Sequence, residues 1–360
     1  MKRIRRQTVL RYAKKTFNCD TIGAFSPENI YYLTGFWGEG VVVCNSDLKA
    51  TLIVPKLEKE RASSTATDCD IISAERGSNL LTQFVSVIRN TKTCIDCTDY
   101  SIVQTICRRL SSPRILHSSN HPFYLSRMIK DNEEICAIRS TAEILDRLYE
   151  ICTEKIREGT SERTLQAHLI YEAMKMGACP PSYRWTLDPL IIASGPNGAS
   201  PHAQVTNRIF KSGDMIIVDL TLRHGAYVAD ATRTFGLGNV TSFTKKVYDI
   251  VCESQKSGVK AVSPGVTCGD IDNICRQTIN HAGFNEFFVH STGHGIGLDV
   301  HEPPWLRSGS RQKLKNNMSI TIEPGIYLPD RFGVRIEDSV IVSAETKNLC
   351  KFTKELVIIG

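Results

Sequence analysis

A chain of 360 residues is long for a single hydrophobic core, so two domains are expected. Its 41% hydrophobic and 23% charged residues are ordinary for a globular protein, and no apolar run reaches the ~18 residues of a spanning helix. The formal charge of +6 belongs to one end: Lys2, Arg3, Arg5, Arg6, Arg11, Lys14 and Lys15 stand there without an acid, and the remaining 37 of 44 bases face 38 acids. That balance excludes a nucleic-acid footprint over the whole surface.

The basic start lacks the apolar segment of a secretory leader and runs directly into "VLRYAKKTFNCDTIGAFS". It reads as the solvated face of a first helix rather than a targeting peptide. The apolar runs "TIGAF", "GVVVC" and "TLIV" then predict short strands, and amphipathic segments near 78–90 and 100–110 predict helices, together an α/β layer. The thirteen cysteines are odd in number and scattered from Cys19 to Cys350, which fits reduced thiols in a cytoplasmic protein. Cys94 and Cys97 form the single C-x-x-C pair. With no second pair to complete a zinc site, they are expected to pack at a strand end. At Asp131 the texture changes to a long helical pattern, "EEICAIRSTAEILDRLYEICTEKI", which divides the chain into 1–127 and 128–360.

The second part contains an internal repeat. "GTSERTLQAHLIYEAMKMGA" from Gly159 aligns with "GVTCGDIDNICRQTINHAGF" from Gly265 at an offset of 106. Each copy starts a helix at a Ser or Thr cap and ends it at a glycine. Strand-like segments follow both copies, so two αβ halves about a pseudo-twofold axis are expected, with a cleft between them.

Four acids interrupt those strands: Asp219 and Asp230 in the first half, Glu323 and Glu337 in the second, with repeat offsets of 104 and 107. Singly, each reads equally well as a strand-end acid facing water or a base. Converging in one cleft, four carboxylates would repel strongly unless cations offset them, and two divalent ions balance the charge. Oxygen ligands with one imidazole favour Mn²⁺, with Co²⁺, Fe²⁺ or Zn²⁺ as alternatives. The segment "VHSTGHGIGLDVHEPP", with His290, His294 and His301, then has a task beyond that of a polar loop: one imidazole completes a metal and others meet the substrate.

With these residues in place the chain resembles the pita-bread metallopeptidases, in their proline-specific branch of Xaa-Pro aminopeptidases and Xaa-Pro dipeptidases. "SPENIYYLTGF" resembles the N-terminal creatinase-like α/β domain. "IIASGPNGASPH", "DLTLRHGAYVADATRTF", "HSTGHGIGLDVHEPP", "TIEPGIY" and "GVRIEDSVIV" resemble the blocks of the catalytic α+β domain, in the family's order. The resemblance implies that Asp219, Asp230, His294, Glu323 and Glu337 bind two metal ions, with Asp230 and Glu337 shared between them. It further implies Glu323 as general base, His301 on the scissile carbonyl, His202 on the leaving proline, His290 lining the pocket and Arg335 buttressing the carboxylates. Gly293, Gly295 and Gly297 would let backbone approach the metals.

The implied reaction is hydroxide attack, at a dinuclear centre, on the peptide bond between an N-terminal residue and proline. Short proline-containing peptides are the implied partners, with neither nucleic acid nor membrane, and a homodimer is the family's common state. Methionine aminopeptidases share the ligand set but lack a domain like 1–127. Inactive binding modules of this fold usually lose ligands, and none is lost here. Two departures bear on substrate length: Trp305 follows "HEPP" where the family's dipeptidases often carry arginine, and "SYRWTLDPL" is a few residues longer than usual, bringing Arg184 and Trp185 toward the expected entrance. Trp305 favours an enzyme that tolerates residues beyond proline, whereas Arg184, Arg307 or Arg311 could supply the missing cation of a dipeptidase.

Overall fold

The computed structural model describes residues 1–89, 91–182, 188 and 190–360. They form two compact units, Met1–Arg127 and Met128–Gly360.

The first unit is an α/β layer. Helix α1 (Lys2–Phe17) leads to β1 (Thr21–Ala24), α2 (Pro27–Thr34), β2 (Val41–Cys44), β3 (Ala50–Pro55), α3 (Lys59–Thr65) and β4 (Asp70–Ala74). Then come α4 (Ser78–Ile88), β5 (Thr93–Ile95), α5 (Tyr100–Arg109), β6 (Leu116–Ser118) and α6 (His121–Arg127). The strands make one sheet in the order β4-β3-β2-β1-β5-β6, antiparallel from β1 to β3 and parallel elsewhere. β1 and β2 bury every residue, which explains their unbroken apolar runs. Helix α4 lays Leu80, Phe84 and Ile88 on Val41, Val43 and Ile53, and Cys97 packs into the same core.

The basic end is solvated as read at Arg3, Arg11, Lys14 and Lys15, but two of its arginines turn inward. Arg5 and Arg6 are buried beside Val9, Leu10 and Ala13. Arg6 donates to the carbonyls of Leu33, Leu48 and Thr67 and to Asp68 Oδ2 at 2.9 Å. Its guanidinium is tolerated inside because backbone acceptors satisfy its donors. Sequence composition carries no signal of such acceptors.

The second unit is two αβ halves. The first holds α7 (Asn132–Lys155), α8 (Glu162–Lys175), β7 (Leu190–Ser194), β8 (Met215–His224) and β9 (Tyr227–Leu237). The second holds α9 (Ser242–Ala261), α10 (Cys268–His281), β10 (Gly293–Gly295), β11 (Glu302–Leu306), β12 (Ser319–Ile322), β13 (Gly325–Leu328), β14 (Phe332–Arg335) and β15 (Asp338–Ile341). The short strands β16 (Lys347–Asn348) and β17 (Ile358–Ile359) follow. The repeat is visible in the caps. Ser161 accepts from the Thr164 N–H and Thr267 from that of Asp270, and Gly177 and Gly283, at φ 77° and 83°, follow the helix ends. Each such N-cap contributes about 1 kcal/mol, and only glycine enters the left-handed region without strain.

β7, β8 and β9 form an antiparallel sheet edged by β17. β11, β10, β12, β15 and β16 form another, and β13 pairs with β14. The two sheets meet at a bridge between Thr232 and Glu337, where the Glu337 N–H donates to the Thr232 carbonyl at 3.1 Å.

Candidate metal centre and active site

The β8–β9 ladder sets the first two acids. Asp219 lies opposite Thr232 and Asp230 opposite Thr221. With the two-residue period of a strand, these four side chains share one face. Thr221 Oγ1 donates to Asp230 Oδ1 at 2.8 Å, and Thr232 Oγ1 donates across the bridge to Glu337 Oε2 at 2.7 Å. Glu323 immediately follows β12; its N–H donates to the Thr292 carbonyl at 2.8 Å, and its Oε1 lies 3.4 Å from Thr321 Oγ1.

His294 sits on β10, its N–H bonded to Thr321 Oγ1 at 3.1 Å. Its Nδ1 lies 3.0 Å from the Gly295 carbonyl, which can only accept, so Nδ1 carries the proton and Nε2 presents a lone pair. That Nε2 is 3.5 Å from Glu323 Oε1. One ligand atom each from Asp230, His294 and Glu337 lie within 4.8 Å of one another. Asp219 stands outside that tightest group but lines the same cavity, with its Oδ2 held at 2.6 Å by Arg335 Nη2.

The cavity, about 280 Å³, is also lined by His202, His290, His301 and Trp305. His301 packs edge-on against His294, with ring centroids 4.2 Å apart. His290 Nδ1 lies 2.8 Å from the Ser291 carbonyl and its Nε2 lies 2.9 Å from Tyr327 Oη. Arg335 is buried and spends its remaining donors on Tyr327 Oη at 2.8 Å, the Pro201 carbonyl at 3.0 Å and Thr232 Oγ1 at 3.1 Å. Through the Pro201 carbonyl it also tethers the loop that carries His202.

Electrostatics mark this as a place that wants cations. Burial, and then the charge of Asp219, pushes the Asp230 carboxyl well above its usual range. Burial, and then Asp230, does the same to Glu337. Burial raises Glu323 to about 7. It lowers His294 to about 4 and His290 and His301 to about 3, so the imidazoles are neutral and offer lone pairs. Asp219 Oδ1 and Glu337 Oε1 are buried with no hydrogen-bond partner. Buried polar atoms are seldom left so, and hard oxygens beside one imidazole form a donor set suited to divalent ions. The residues therefore fit the group that the sequence implies.

The glycines of the histidine segment are required by the packing around them. A Cβ at Gly293 would strike the Thr321 carbonyl and one at Gly295 the Pro303 carbonyl, while one at Gly297 would lie 2.7 Å from Glu302 Oε1. They make room for neighbouring strands and for the buried Lys130–Glu302 pair, 2.6 Å apart. Arg184 and Trp185 lie outside the described residues, and Arg307 and Arg311 are exposed and do not line the cavity. Sequence reasoning missed Tyr327 and the threonines. The threonines had a signal: "DLT", "DAT" and "TIE" each put a threonine two residues from an acid, on the same strand face.

A two-domain chain whose catalytic unit gathers four carboxylates and an imidazole about one cavity has the build of a metallohydrolase. Residues 136–344 match metallopeptidase family M24 and residues 5–129 the creatinase/prolidase N-terminal domain, and the chain belongs to that family, with its creatinase-like and pita-bread domains. It is 34% identical to the Xaa-Pro dipeptidase of Pyrococcus furiosus over 94% of this chain and 95% of that one. Among solved structures, the Xaa-Pro dipeptidase from Bacillus anthracis superposes with a TM-score of 0.92 at 30% identity, covering 99% of this chain and 100% of that one. The X-Pro aminopeptidase from Thermotoga maritima reaches 0.85 at 28%, covering 97% and 100%.

Proposed function

We propose that this metallopeptidase removes the N-terminal residue from short peptides whose second residue is proline, with catalysis carried by residues 128–360. The observation that carries the reading is the convergence of Asp219, Asp230, His294, Glu323 and Glu337 on one cavity, with two buried carboxylate oxygens lacking a hydrogen bond. The names of full-length relatives support the substrate class, and do not favour a methionine aminopeptidase or an inactive module.

In this reading Asp219, Asp230, His294, Glu323 and Glu337 would hold two divalent ions, with Asp230 and Glu337 serving both. Mn²⁺ suits that donor set best, with Co²⁺, Fe²⁺ or Zn²⁺ as alternatives. When bound, the ions supply a Lewis acid for the scissile carbonyl and a water of lowered pKa. Glu323 takes the proton from the attacking water and returns it to the imino nitrogen of proline. His301 donates to the carbonyl oxygen as negative charge develops there. His202 meets the departing proline side, His290 forms the neighbouring wall, and Arg335 keeps Asp219 oriented. The thirteen unpaired cysteines support a reducing, cytoplasmic location, and the family resemblance supports a homodimer.

The test is to strip the enzyme with a chelator, confirm its metal content by elemental analysis, and assay Ala-Pro beside Ala-Ala. Activity should vanish on stripping, return best with Mn²⁺ or Co²⁺, and be confined to the proline peptide. Full turnover in a metal-free preparation would overturn the reading.

A further inference from the structure

Residues 288–292 carry His290 into the cavity, yet they lie between a short turn and β10, outside every strand and helix. Something other than a sheet ladder must hold them. Helix α10 supplies it with two side chains one turn apart. Asp272 is fully buried, and its Oδ2 accepts from Arg276 Nε at 2.8 Å. Its Oδ1 accepts from the Thr292 N–H at 3.1 Å and from Thr292 Oγ1 at 2.9 Å. The Thr292 N–H also reaches the Leu306 carbonyl. Arg276 donates through Nη1 to the Phe288 carbonyl at 3.1 Å and through Nη2 to the His290 carbonyl, with its guanidinium 4.3 Å from the Phe288 ring centre.

The Ser291 carbonyl, between the two gripped positions, takes the bond from His290 Nδ1. A carbonyl only accepts, so Nδ1 carries the proton, and Nε2 must accept from Tyr327 Oη. The direction and tautomer of His290 thus depend on where the Ser291 carbonyl points, and α10 fixes the backbone on both sides of it. The grip extends further, because the Thr292 carbonyl accepts from the Glu323 N–H.

We propose that Asp272 and Arg276 are positioning residues for His290. They make no contact with substrate and act by locking the 288–292 backbone so that the imidazole faces the peptide in one tautomer. This rests on the proposed role of His290 in the substrate wall.

The experiment is a double-mutant cycle of Arg276→Gln and His290→Ala in the metal-loaded enzyme, with kcat and KM on Ala-Pro, metal content, and the ¹⁵N spectrum of the histidine side chains. Arg276→Gln should lower kcat/KM by about ten- to a hundredfold, the scale of a small misplacement of a reacting group, at unchanged metal content. In the His290→Ala background it should cost less than about twofold more. The Nδ1–H signature of His290 should be lost or broadened. Arg276→Lys, which keeps the charge facing Asp272 but cannot span both carbonyls, should fall between and serves if the glutamine variant does not fold. Multiplicative losses in the double variant, or an unchanged His290 spectrum, would overturn the positioning role. An altered spectrum with full activity in His290→Ala would instead remove His290 from the substrate wall, and the catalytic part of the proposal with it.

Discussion

In the first half of the catalytic unit both acids stand on one hairpin, Asp219 and Asp230 on paired strands with their threonines beside them. In the second half they stand at strand ends, Glu323 after β12 and Glu337 before β15, and three histidines are inserted on and around β10. Helices α8 and α10 occupy equivalent places and each buries a carboxylate against a histidine-bearing loop, but by different means. Glu162 gathers five donors, from Ser194, Asn197 and Thr206, about the loop of His202. Asp272 recruits a guanidinium. Each half therefore satisfies a buried carboxylate beside a histidine-bearing loop, but of the four cavity histidines one, His202, lies in the first half and three lie in the second.

The largest effect should follow from removing an acid that both halves depend on. Asp230→Asn is expected to lose metal and activity together, to below about 10⁻³ of wild type, because it withdraws a shared ligand. Elemental analysis and kcat/KM on one sample check this, and full retention of both ions would make the hairpin acids bystanders. His301→Ala, confined to the second half, should keep its metal and lose rate by about 10²–10³, the scale of one transition-state donor. If it sheds metal instead, the division between His294 and His301 is wrong.

Metal removal sharpens the same contrast as a stability measurement. The carboxyls of Asp230, Glu337 and Glu323 are raised by burial first; the charge of Asp219 adds to Asp230 and Glu323 and that of Asp230 to Glu337, with Glu323 at about 7. A folded state that holds protons the unfolded chain has released is stabilised at low pH. That stability is full below the unfolded values near 4 and falls as pH rises through the folded ones, by about 1.4 kcal/mol per unit for each proton. The metal-free protein should thus have a lower Tm at pH 8 than at pH 5, and the gap to the metal-loaded protein should widen. A metal-free Tm that rises across this range would contradict the burial of these acids.

Glu162→Gln tests the first-half clamp by itself. A carboxamide cannot accept from all five donors, so about 3 kcal/mol of stability should be lost, with a lower Tm in the metal-loaded enzyme. A change within about 1 °C, far below the shift such a loss produces in a domain of this size, would show that the loop of His202 is held without it.

Much of this was legible in the sequence because strands and metals impose strict patterns. Acids inside β-branched runs, repeated at nearly equal offsets, are costly to bury without cations or dedicated hydrogen bonds, and the capped helices announced the halves. What escaped notice was pairwise. Arg6 is buried because three distant carbonyls receive it, and Tyr327 matters only because the fold brings it between His290 and Arg335. The purpose of Gly293 and Gly295 depended on which strand lay beside them, and no local pattern carries that.

The smallest expected effect concerns peptide length. A dipeptidase must bind the carboxylate directly after proline, which calls for a positioned cation, best a guanidinium. Among the described cavity residues the single guanidinium is Arg335, buried and bonded to Asp219, Tyr327, Thr232 and the Pro201 carbonyl. Trp305, opposite His294 in the β10–β11 ladder and 40% exposed, offers the incoming chain a flat face and one donor instead. Ala-Pro-Ala and Ala-Pro amide should therefore fall within about tenfold of Ala-Pro in kcat/KM, a penalty below about 1.4 kcal/mol. A preference of a hundredfold or more for the free dipeptide would reveal a carboxylate clamp outside the described residues. Arg184→Ala would then be the decisive variant, since loss of that preference would locate the clamp on the segment before β7.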